Sequence, residues 1–157
     1  MTEKCLEINE NLKTILERRS ITFFDKTKEI EDELLTKIVE LASLAPSSYN
    51  LQPWEVIIVK SKENKKKLRE ICFNQEKVED ASANIVVIAN YKRAINNIER
   101  VLDDFKSKGY PISVNKSIIE NFYINNAKMR AVRDASLFAM NLMLIARFFN
   151  LETHPME

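Results

Sequence analysis

Glycine is nearly absent from this chain, since Gly109 is the only glycine among its 157 residues. The dinucleotide-binding fingerprint of Rossmann folds and the phosphate-binding P-loop both need several glycines close together, so both are excluded. Histidine is just as scarce, because His154 stands alone. One histidine leaves little room for histidine-based acid–base catalysis. If the chain is an enzyme, we therefore expect a cofactor, and no catalytic side chain, to carry its difficult chemistry.

The chain also has few cysteines, a net charge near zero and no long apolar run. Cys5 and Cys72 lie far apart without a CxxC pattern, which indicates neither a disulfide framework nor a zinc or other metal site. The 24 basic residues nearly balance the 23 acidic ones, and a near-neutral chain has no overall field to hold nucleic acid or an acidic membrane surface. The most apolar stretch, residues 135–149, is too short to span a bilayer, and residues 1–10 do not form a secretory signal. We expect a cytoplasmic protein without a nucleic-acid or membrane partner.

The hydrophobic pattern predicts many helices and few strands. Apolar residues at helical spacing predict helices, and two short β-branched runs predict buried strands. Such a mixture, without regular βαβ alternation, is typical of the α+β class, and the length suits a single domain over residues 1–157. The predicted helices cover residues 6–18, 31–45, 62–72, 94–108, 113–125 and 128–149, and the predicted extended segments cover residues 20–24, 54–60 and 84–90.

Particular residues support these boundaries. Ser61 is the predicted N-cap of the third helix, whose residues Leu68, Ile71 and Cys72 are predicted to face inward. Pro46 is predicted to end the second helix, and Gly109 to cap the fourth. Two strands alone do not make a stable sheet, so further extended pieces or a partner's strand are expected to join them. The last helix is apolar on nearly every side, which favours a buried spine or a subunit interface.

Two polar segments are candidates for binding. Arg18, Arg19 and Ser20 could hold a phosphate through guanidinium forks and a hydroxyl, although cations at a helix C-terminus are common without any ligand. From these three residues alone we favour the second explanation. Residues 45–54 form a proline-bounded loop with many side-chain donors, which is typical either of a functional loop or of a structural turn.

Together the two segments resemble the FMN-dependent nitroreductase family. Arg18-Arg19-Ser20-Ile21 is followed by Ala45-Pro46-Ser47-Ser48-Tyr49-Asn50-Leu51-Gln52-Pro53-Trp54, which leads into a strand as in that family. Residues 74–82 resemble the family's flavin-contacting segment, and residues 150–157 resemble its turn over the flavin. The four segments follow in the family's order and cover essentially the whole chain.

The resemblance implies a nitroreductase-like fold, with helices around a small, mainly antiparallel sheet, and a homodimer with FMN at the subunit interface. It also implies hydride transfer from NAD(P)H through FMN N5 to small-molecule acceptors, namely nitroaromatic, quinone or related compounds. Arg18, Arg19 and Ser20 would hold the phosphate and ribityl chain, and Asn74 and Lys77 the pyrimidine edge near N1 and O2. The other subunit would contribute Pro46, Ser47, Ser48 and Asn50 to the same flavin site. The turn over the flavin would contain Pro155, Met156 and Glu157, with the Glu157 N–H toward N5.

Three departures from the family pattern are visible. Thr22 replaces a basic residue of many relatives, and Asp134 replaces a glutamine of some, so Asp134 is given no flavin contact. Relatives continue past residue 157 into a strand, basic phosphate ligands and a C-terminal arm, and we expect this chain to lack that segment. The alternatives are a flavoenzyme of the same fold with another reaction, such as enone reduction or reductive dehalogenation, or a dimeric interaction module without cofactor.

Overall fold

The computed structural model describes residues 10–110 and 115–156. Helices dominate this part of the chain, and two strands lie between them. In chain order the elements are α1 (Glu10–Glu17), α2 (Asp32–Ala42), a 3-10 turn (Ser48–Asn50), β1 (Trp54–Val59), α3 (Lys62–Ile71), α4 (Glu76–Asp80), β2 (Asn84–Ala89), α5 (Tyr91–Asn96), α6 (Ile98–Ser107), α7 (Lys116–Ile124) and α8 (Ala127–Phe148).

The sheet is a pair of antiparallel strands, β1 and β2. The Asn90 N–H, just after β2, donates to the Pro53 carbonyl, just before β1, at 2.7 Å. The predicted α+β class and both predicted strands are therefore confirmed. The extended segment predicted over residues 20–24 is reduced to one isolated parallel bridge between Ser20 and Thr153.

Two helix boundaries differ from the prediction. α2 ends at Ala42 rather than at Pro46, and the Asn141 side-chain amide donates to the Ala42 carbonyl at 3.1 Å, which satisfies a carbonyl that the helix leaves unpaired at its end. The helix predicted over residues 94–108 is divided at Asn97 into α5 and α6. The Asn97 side-chain amide donates to the Leu51 carbonyl at 2.8 Å, so a long-range contact fixes the division.

Capping residues follow the prediction more closely. The Ser61 hydroxyl accepts the Asn64 N–H at the start of α3. Gly109 follows α6 with a φ of +69°, a left-handed value that glycine adopts without steric cost. Its N–H donates to the Lys106 carbonyl at 3.1 Å, which is the expected C-terminal cap.

The inward face of α3 was predicted wrongly. Ile71 is 76% exposed, and Leu68 and Cys72 are only half-buried. Polar contacts set the orientation instead: Arg69 Nη1 lies 2.8 Å from Glu79 Oε2 on α4, and Lys65 Nζ donates to the Ala81 carbonyl at 2.8 Å. The helix therefore turns half-buried polar residues toward α4 and leaves Ile71 in solvent.

Contacts between residues divide the chain into two compact units. The first contains residues 1–42, 59–84 and 140–157, and the second contains residues 43–58 and 85–139. One domain over residues 1–157 stays a prediction. The core cluster of the second unit consists of Leu51, Ala94, Ile98, Val101, Ile119 and Tyr123.

α8 has two different faces. Its buried side chains include Ala131, Ala135, Phe138, Leu142 and Ala146. On the opposite side, apolar side chains are exposed, with Met129 65% exposed and Val132, Leu137 and Met140 also in solvent. No helix in the described residues is long and apolar enough to cross a bilayer.

Candidate functional site

In the first unit, the turn after α1 lies against the turn after α8. Ser20 and Thr153 form the parallel bridge, and the Ile21 N–H donates to the Thr153 carbonyl at 3.2 Å. Two of the segments singled out in the sequence, residues 18–20 and 150–156, are thereby brought together, although Ser20 and Thr153 lie 133 positions apart in the chain.

Lys77 and His154 bring a third segment to the same place. Lys77 Nζ lies 2.6 Å from His154 Nε2, and His154 Nδ1 lies 2.6 Å from the Ile21 carbonyl oxygen. A carbonyl oxygen only accepts hydrogen bonds, so Nδ1 carries the proton and Nε2 accepts from the lysine ammonium. Three of the four predicted segments therefore meet within one unit, and His154 joins them.

The two arginines after α1 have different surroundings. Arg19 Nη1 donates to the carbonyls of Leu16 at 2.7 Å and of Arg18 at 2.8 Å, which is the helix C-terminus role that we favoured from the three residues alone. Arg18 is half-buried, and its guanidinium makes no hydrogen bond or ion pair within the described ranges. Its guanidinium, with the exposed Ser20 hydroxyl, is available to an anion.

Asn74 lies in a strained turn between α3 and α4. Its φ is +56°, and that of Phe73 is +55°. The Asn74 N–H donates to the Arg69 carbonyl at 3.0 Å, and Arg69 Nε donates back to the Asn74 carbonyl at 3.3 Å. The hydrogen bond that Arg69 donates to the Glu79 carboxylate raises the pKa of Arg69 above its usual value. The turn is held through backbone groups, which leaves the Asn74 side-chain amide unengaged among the residues described.

The last turn is only partly described. Pro155 and Met156 are exposed next to His154. Glu157, whose N–H was predicted to point to flavin N5, lies outside the described residues.

In the second unit, a buried carboxylate organises the loop that carries Ser48. Asp134 on α8 is 1% exposed. Its Oδ2 accepts the Ser48 N–H at 3.0 Å, and its Oδ1 accepts from Arg133 Nε at 2.8 Å. Arg133 Nη2 also donates to Ser48 Oγ. Ser48 is thus held at both its backbone and its side chain, while its hydroxyl proton stays available for a further acceptor.

The rest of this loop is tightly folded. Ser47 Oγ accepts the Gln52 N–H at 3.0 Å, and the Asn50 N–H donates to the Ser47 carbonyl at 3.0 Å. Tyr49, Asn50 and Gln52 all have positive φ values, between 48° and 55°. Pro46 and the Asn50 side chain are exposed. These hydrogen bonds are those of a structural turn, and they also hold polar side chains toward solvent.

Two neighbouring aromatic residues of α7, Phe122 and Tyr123, have opposite surroundings. Tyr123 is fully buried in the core cluster and its hydroxyl has no hydrogen-bond partner. Burial, and secondarily the negative charge of Asp134, raises the pKa of Tyr123 to about 12. Phe122 is partly exposed, with the Arg130 guanidinium 3.7 Å above its ring centroid. Tyr123 is therefore a core residue, and only Phe122 is placed to meet a ligand.

Arg133, Asp134 and His154 were missed as organising residues. The available signal was that Asp134 is the only acidic residue in a long apolar helix, and a buried charge requires a partner. The described residues contain no group of three His, Cys, Asp or Glu side chains that could hold a metal ion. In the first unit, the donors that have no partner among the described residues suit an anionic ligand with a polar edge.

Comparison with known proteins identifies the family. The profile of the Nitroreductase family matches residues 15–157. A Bacillus subtilis protein named "Putative NAD(P)H nitroreductase YdgI" is 33% identical over 96% of this chain and 76% of its own length. An oxygen-insensitive NADPH nitroreductase of Helicobacter pylori is 39% identical over 54% of this chain and 40% of its own length.

Solved structures show the same fold. An Exiguobacterium sibiricum protein in complex with FMN superposes with a TM-score of 0.81 at 34% identity, over 95% of this chain and 75% of its own. The enone reductase CLA-ER, from gut-bacterial fatty acid metabolism, gives a TM-score of 0.72 at 26% identity, over 92% of this chain and 73% of its own. The predicted nitroreductase-like fold is thus confirmed. Since the family profile covers nearly the whole sequence, this chain belongs to the nitroreductase family and is an oxidoreductase.

Proposed function

We propose that this chain is an FMN-dependent oxidoreductase that passes hydride from NADH or NADPH to nitroaromatic, quinone or related small-molecule acceptors in the cytoplasm. The observation that carries the proposal is the meeting of Ser20, Lys77 and His154 within one unit. These residues belong to the three segments that resemble flavin-contacting segments, and the similar E. sibiricum protein holds FMN. When bound, FMN supplies a ring nitrogen, N5, that accepts hydride and passes it on.

The residues of the first unit fit a flavin mononucleotide. The Arg18 guanidinium has no partner among the described residues, and Ser20 is exposed. Together they suit a phosphate, because charge-assisted hydrogen bonds are the stronger ones. Lys77 uses one of its three N–H donors on His154 and keeps two for a polar ring edge. Asn74 offers an amide that both donates and accepts. No acid or base from the chain is needed for hydride transfer itself.

We further propose that the chain acts as a homodimer and that Pro46, Ser47, Ser48 and Asn50 contact the FMN of the partner subunit. The support is the exposed apolar face of α8, which includes Met129, Val132, Leu137 and Met140. Exposed apolar faces of this kind mark protein–protein interfaces. Pro155, Met156 and Glu157 stay predicted flavin contacts on the resemblance alone.

Mixed dimers test the assignment to opposite subunits. Arg18→Ala and Ser48→Ala should each weaken FMN retention in homodimers. In a mixed dimer both changes fall on the same site, so one of the two sites should keep parental affinity. FMN content per dimer, measured after desalting of tagged heterodimers, checks this. If both sites of the mixed dimer were weakened, the two residues would not act on one flavin from opposite subunits, and the assignment would be wrong.

A second candidate reaction is reduction of an activated carbon–carbon double bond. The enone reductase CLA-ER shares the fold with 26% identity, and a flavin that delivers hydride to a quinone can also deliver it to an enone. Enones are therefore a second proposed class of acceptor beside nitroaromatic and quinone compounds, since an enone reductase shares the fold.

Reconstitution with FMN tests the proposed function. The purified protein should bind FMN stoichiometrically, and anaerobic addition of NADH or NADPH should bleach the flavin absorbance. Reoxidation by nitroaromatic, quinone and enone compounds, compared one by one, then identifies the acceptor class. A protein that binds no FMN and forms a dimer would instead be an interaction module.

A further inference from the structure

The only histidine of the chain lies between two elements of the proposed flavin site. His154 Nδ1 is 2.6 Å from the Ile21 carbonyl oxygen and Nε2 is 2.6 Å from Lys77 Nζ. The imidazole therefore joins the turn after α1, the turn after α8 and the first turn of α4. The family resemblance assigned no role to this ring.

The hydrogen bonds define the protonation state of the imidazole. The Ile21 carbonyl can only accept, so Nδ1 donates, and the lysine ammonium can only donate, so Nε2 must carry a lone pair. A ring with a proton at Nδ1 alone is neutral. A doubly protonated ring would lose the Lys77 hydrogen bond and place two positive charges at 2.6 Å.

The same contacts fix a side chain that is otherwise flexible. Lysine carries about 2 kcal/mol of side-chain conformational entropy, so an unsupported ammonium spreads over many positions. His154 is itself fixed, because Ile21 accepts from its ring and also donates its N–H to the Thr153 carbonyl at 3.2 Å. The Lys77 ammonium is thereby held at one point, with two N–H donors left over.

We propose that His154 is a positioning residue: through its neutral Nδ1–H form, it holds the Lys77 ammonium where it favours reduced over oxidised FMN. This inference rests on the proposed function, in which Lys77 lies at the N1–O2 edge of the flavin. Negative charge collects at that edge only on reduction, so a fixed ammonium acts on the reduced state more strongly than on the oxidised state.

Two substitutions separate the two hydrogen bonds of the ring. The amide nitrogen of asparagine lies near the position of Nδ1, and the amide oxygen of glutamine lies near that of Nε2. His154→Asn therefore keeps the donor to Ile21 and loses the acceptor for Lys77. His154→Gln keeps the acceptor and loses the donor.

The experiment compares oxidised and reduced FMN binding in the parent, both His154 variants, Lys77→Met and the double variant His154→Asn/Lys77→Met. His154→Asn should weaken binding of reduced relative to oxidised FMN by three- to tenfold, and tenfold corresponds to about 30 mV in the two-electron midpoint potential. His154→Gln should shift binding less than His154→Asn does, because it keeps the acceptor for Lys77. His154→Asn should add nothing in the Lys77→Met background. Independently, ¹⁵N NMR of the flavin-free protein at pH 8 should show the Nδ1–H tautomer.

Each contrary result has a distinct meaning. An Nε2–H tautomer, an unchanged potential in His154→Asn, or equal shifts in His154→Asn and His154→Gln would overturn the positioning role. A shift by His154→Asn that persists without Lys77 would show that the ring acts on its own. Failure of the parent to bind FMN would instead refute the proposed function and, with it, this inference, while the NMR result would still decide the tautomer.

Discussion

The Tyr123 hydroxyl, in the core of the second unit, has no hydrogen-bond partner among the residues that the structure describes. Tyr123 is 0% exposed, and its phenol oxygen is unsatisfied. A buried polar group without a partner costs about 1–3 kcal/mol. Removing that oxygen alone should therefore not destabilise the fold, even though the ring fills the core.

Tyr123→Phe tests this at the level of one atom. At pH 7 the free energy of unfolding should stay equal or rise by up to about 1 kcal/mol. At high pH the parent should lose stability relative to the variant, because the unfolded tyrosine ionises near pH 10 while the folded pKa is about 12. Between these values the loss approaches about 1.4 kcal/mol per pH unit.

Urea unfolding followed through Trp54, the only tryptophan, measures both effects at pH 7, 9 and 11. The difference between parent and variant removes the contribution of lysines, which ionise in the same range. A variant that is destabilised by more than 1 kcal/mol at pH 7 would mean that the hydroxyl has a partner, such as a bound water.

The charge of Lys77 should raise the midpoint potential of a bound flavin. At about 4 Å and an effective dielectric constant near 20, attraction between an ammonium and a reduced flavin is about 4 kcal/mol before solvent reduces it. Lys77→Met should therefore lower the flavin midpoint potential by some tens of millivolts, since 1.4 kcal/mol corresponds to about 30 mV. Oxidised FMN affinity should change little. Spectroelectrochemical titration with parallel FMN binding checks both, and a lost affinity with unchanged potential would place Lys77 elsewhere.

Among the elements, α8 combines an apolar sequence with one buried carboxylate. Asp134 is held by the Ser48 N–H and by the Arg133 guanidinium, whose side chain is half in solvent. Removal of Arg133 leaves a buried charge with one partner, and removal of Asp134 leaves the Ser48 N–H without its acceptor. The two losses share a cause, so they should not add.

A double-mutant cycle tests that coupling. Arg133→Ala and Asp134→Ala should each lower the free energy of unfolding by about 1–3 kcal/mol, and the double variant should fall short of their sum by about 1 kcal/mol or more. Ser136→Ala on the same helix is the control and should stay within about 0.5 kcal/mol. Additive losses would show that the pair does not act as a unit.

The elements also show what local sequence can predict. Both strands, the Ser61 cap and the Gly109 cap follow from local chemistry, and the sequence predicts them. The division at Asn97 depends on the distant Leu51 carbonyl, and the orientation of α3 depends on Arg69 and Glu79. Contacts that lie far apart in the sequence leave no periodic pattern, so these two features could not be predicted.

In the candidate site, too, some features were predictable from the sequence and others were not. Residues 18–20, 74–77 and 150–156 were identified through the resemblance, and the structure brings them together in one unit. The roles of His154, Arg133 and Asp134 arise only from where their partners lie in space. Short motifs indicate which segments bind a ligand. The residues that orient those segments can be identified only from the folded structure.

On the scale of the whole molecule, the exposed apolar face of α8 predicts dimerisation. Sedimentation at micromolar concentration should show a dimer without a folded monomer. Met140→Glu places a charge on this face and should shift the protein toward smaller, less stable species. Ile71→Glu changes an equally apolar and more exposed residue on α3, and it should leave the dimer intact. A dimer unaffected by Met140→Glu would place the interface elsewhere.

The left-handed residues of two turns, at positions 49, 50 and 52 and at positions 73 and 74, have a consequence for how fast a ligand enters. None of them is glycine, so the left-handed conformation costs each about 1–2 kcal/mol and persists because the surrounding structure already holds it. Both turns should therefore already hold their bound shape before FMN arrives. Capture should follow simple second-order kinetics, with an observed rate that rises linearly with FMN concentration in stopped-flow traces and shows no plateau from a slow opening step.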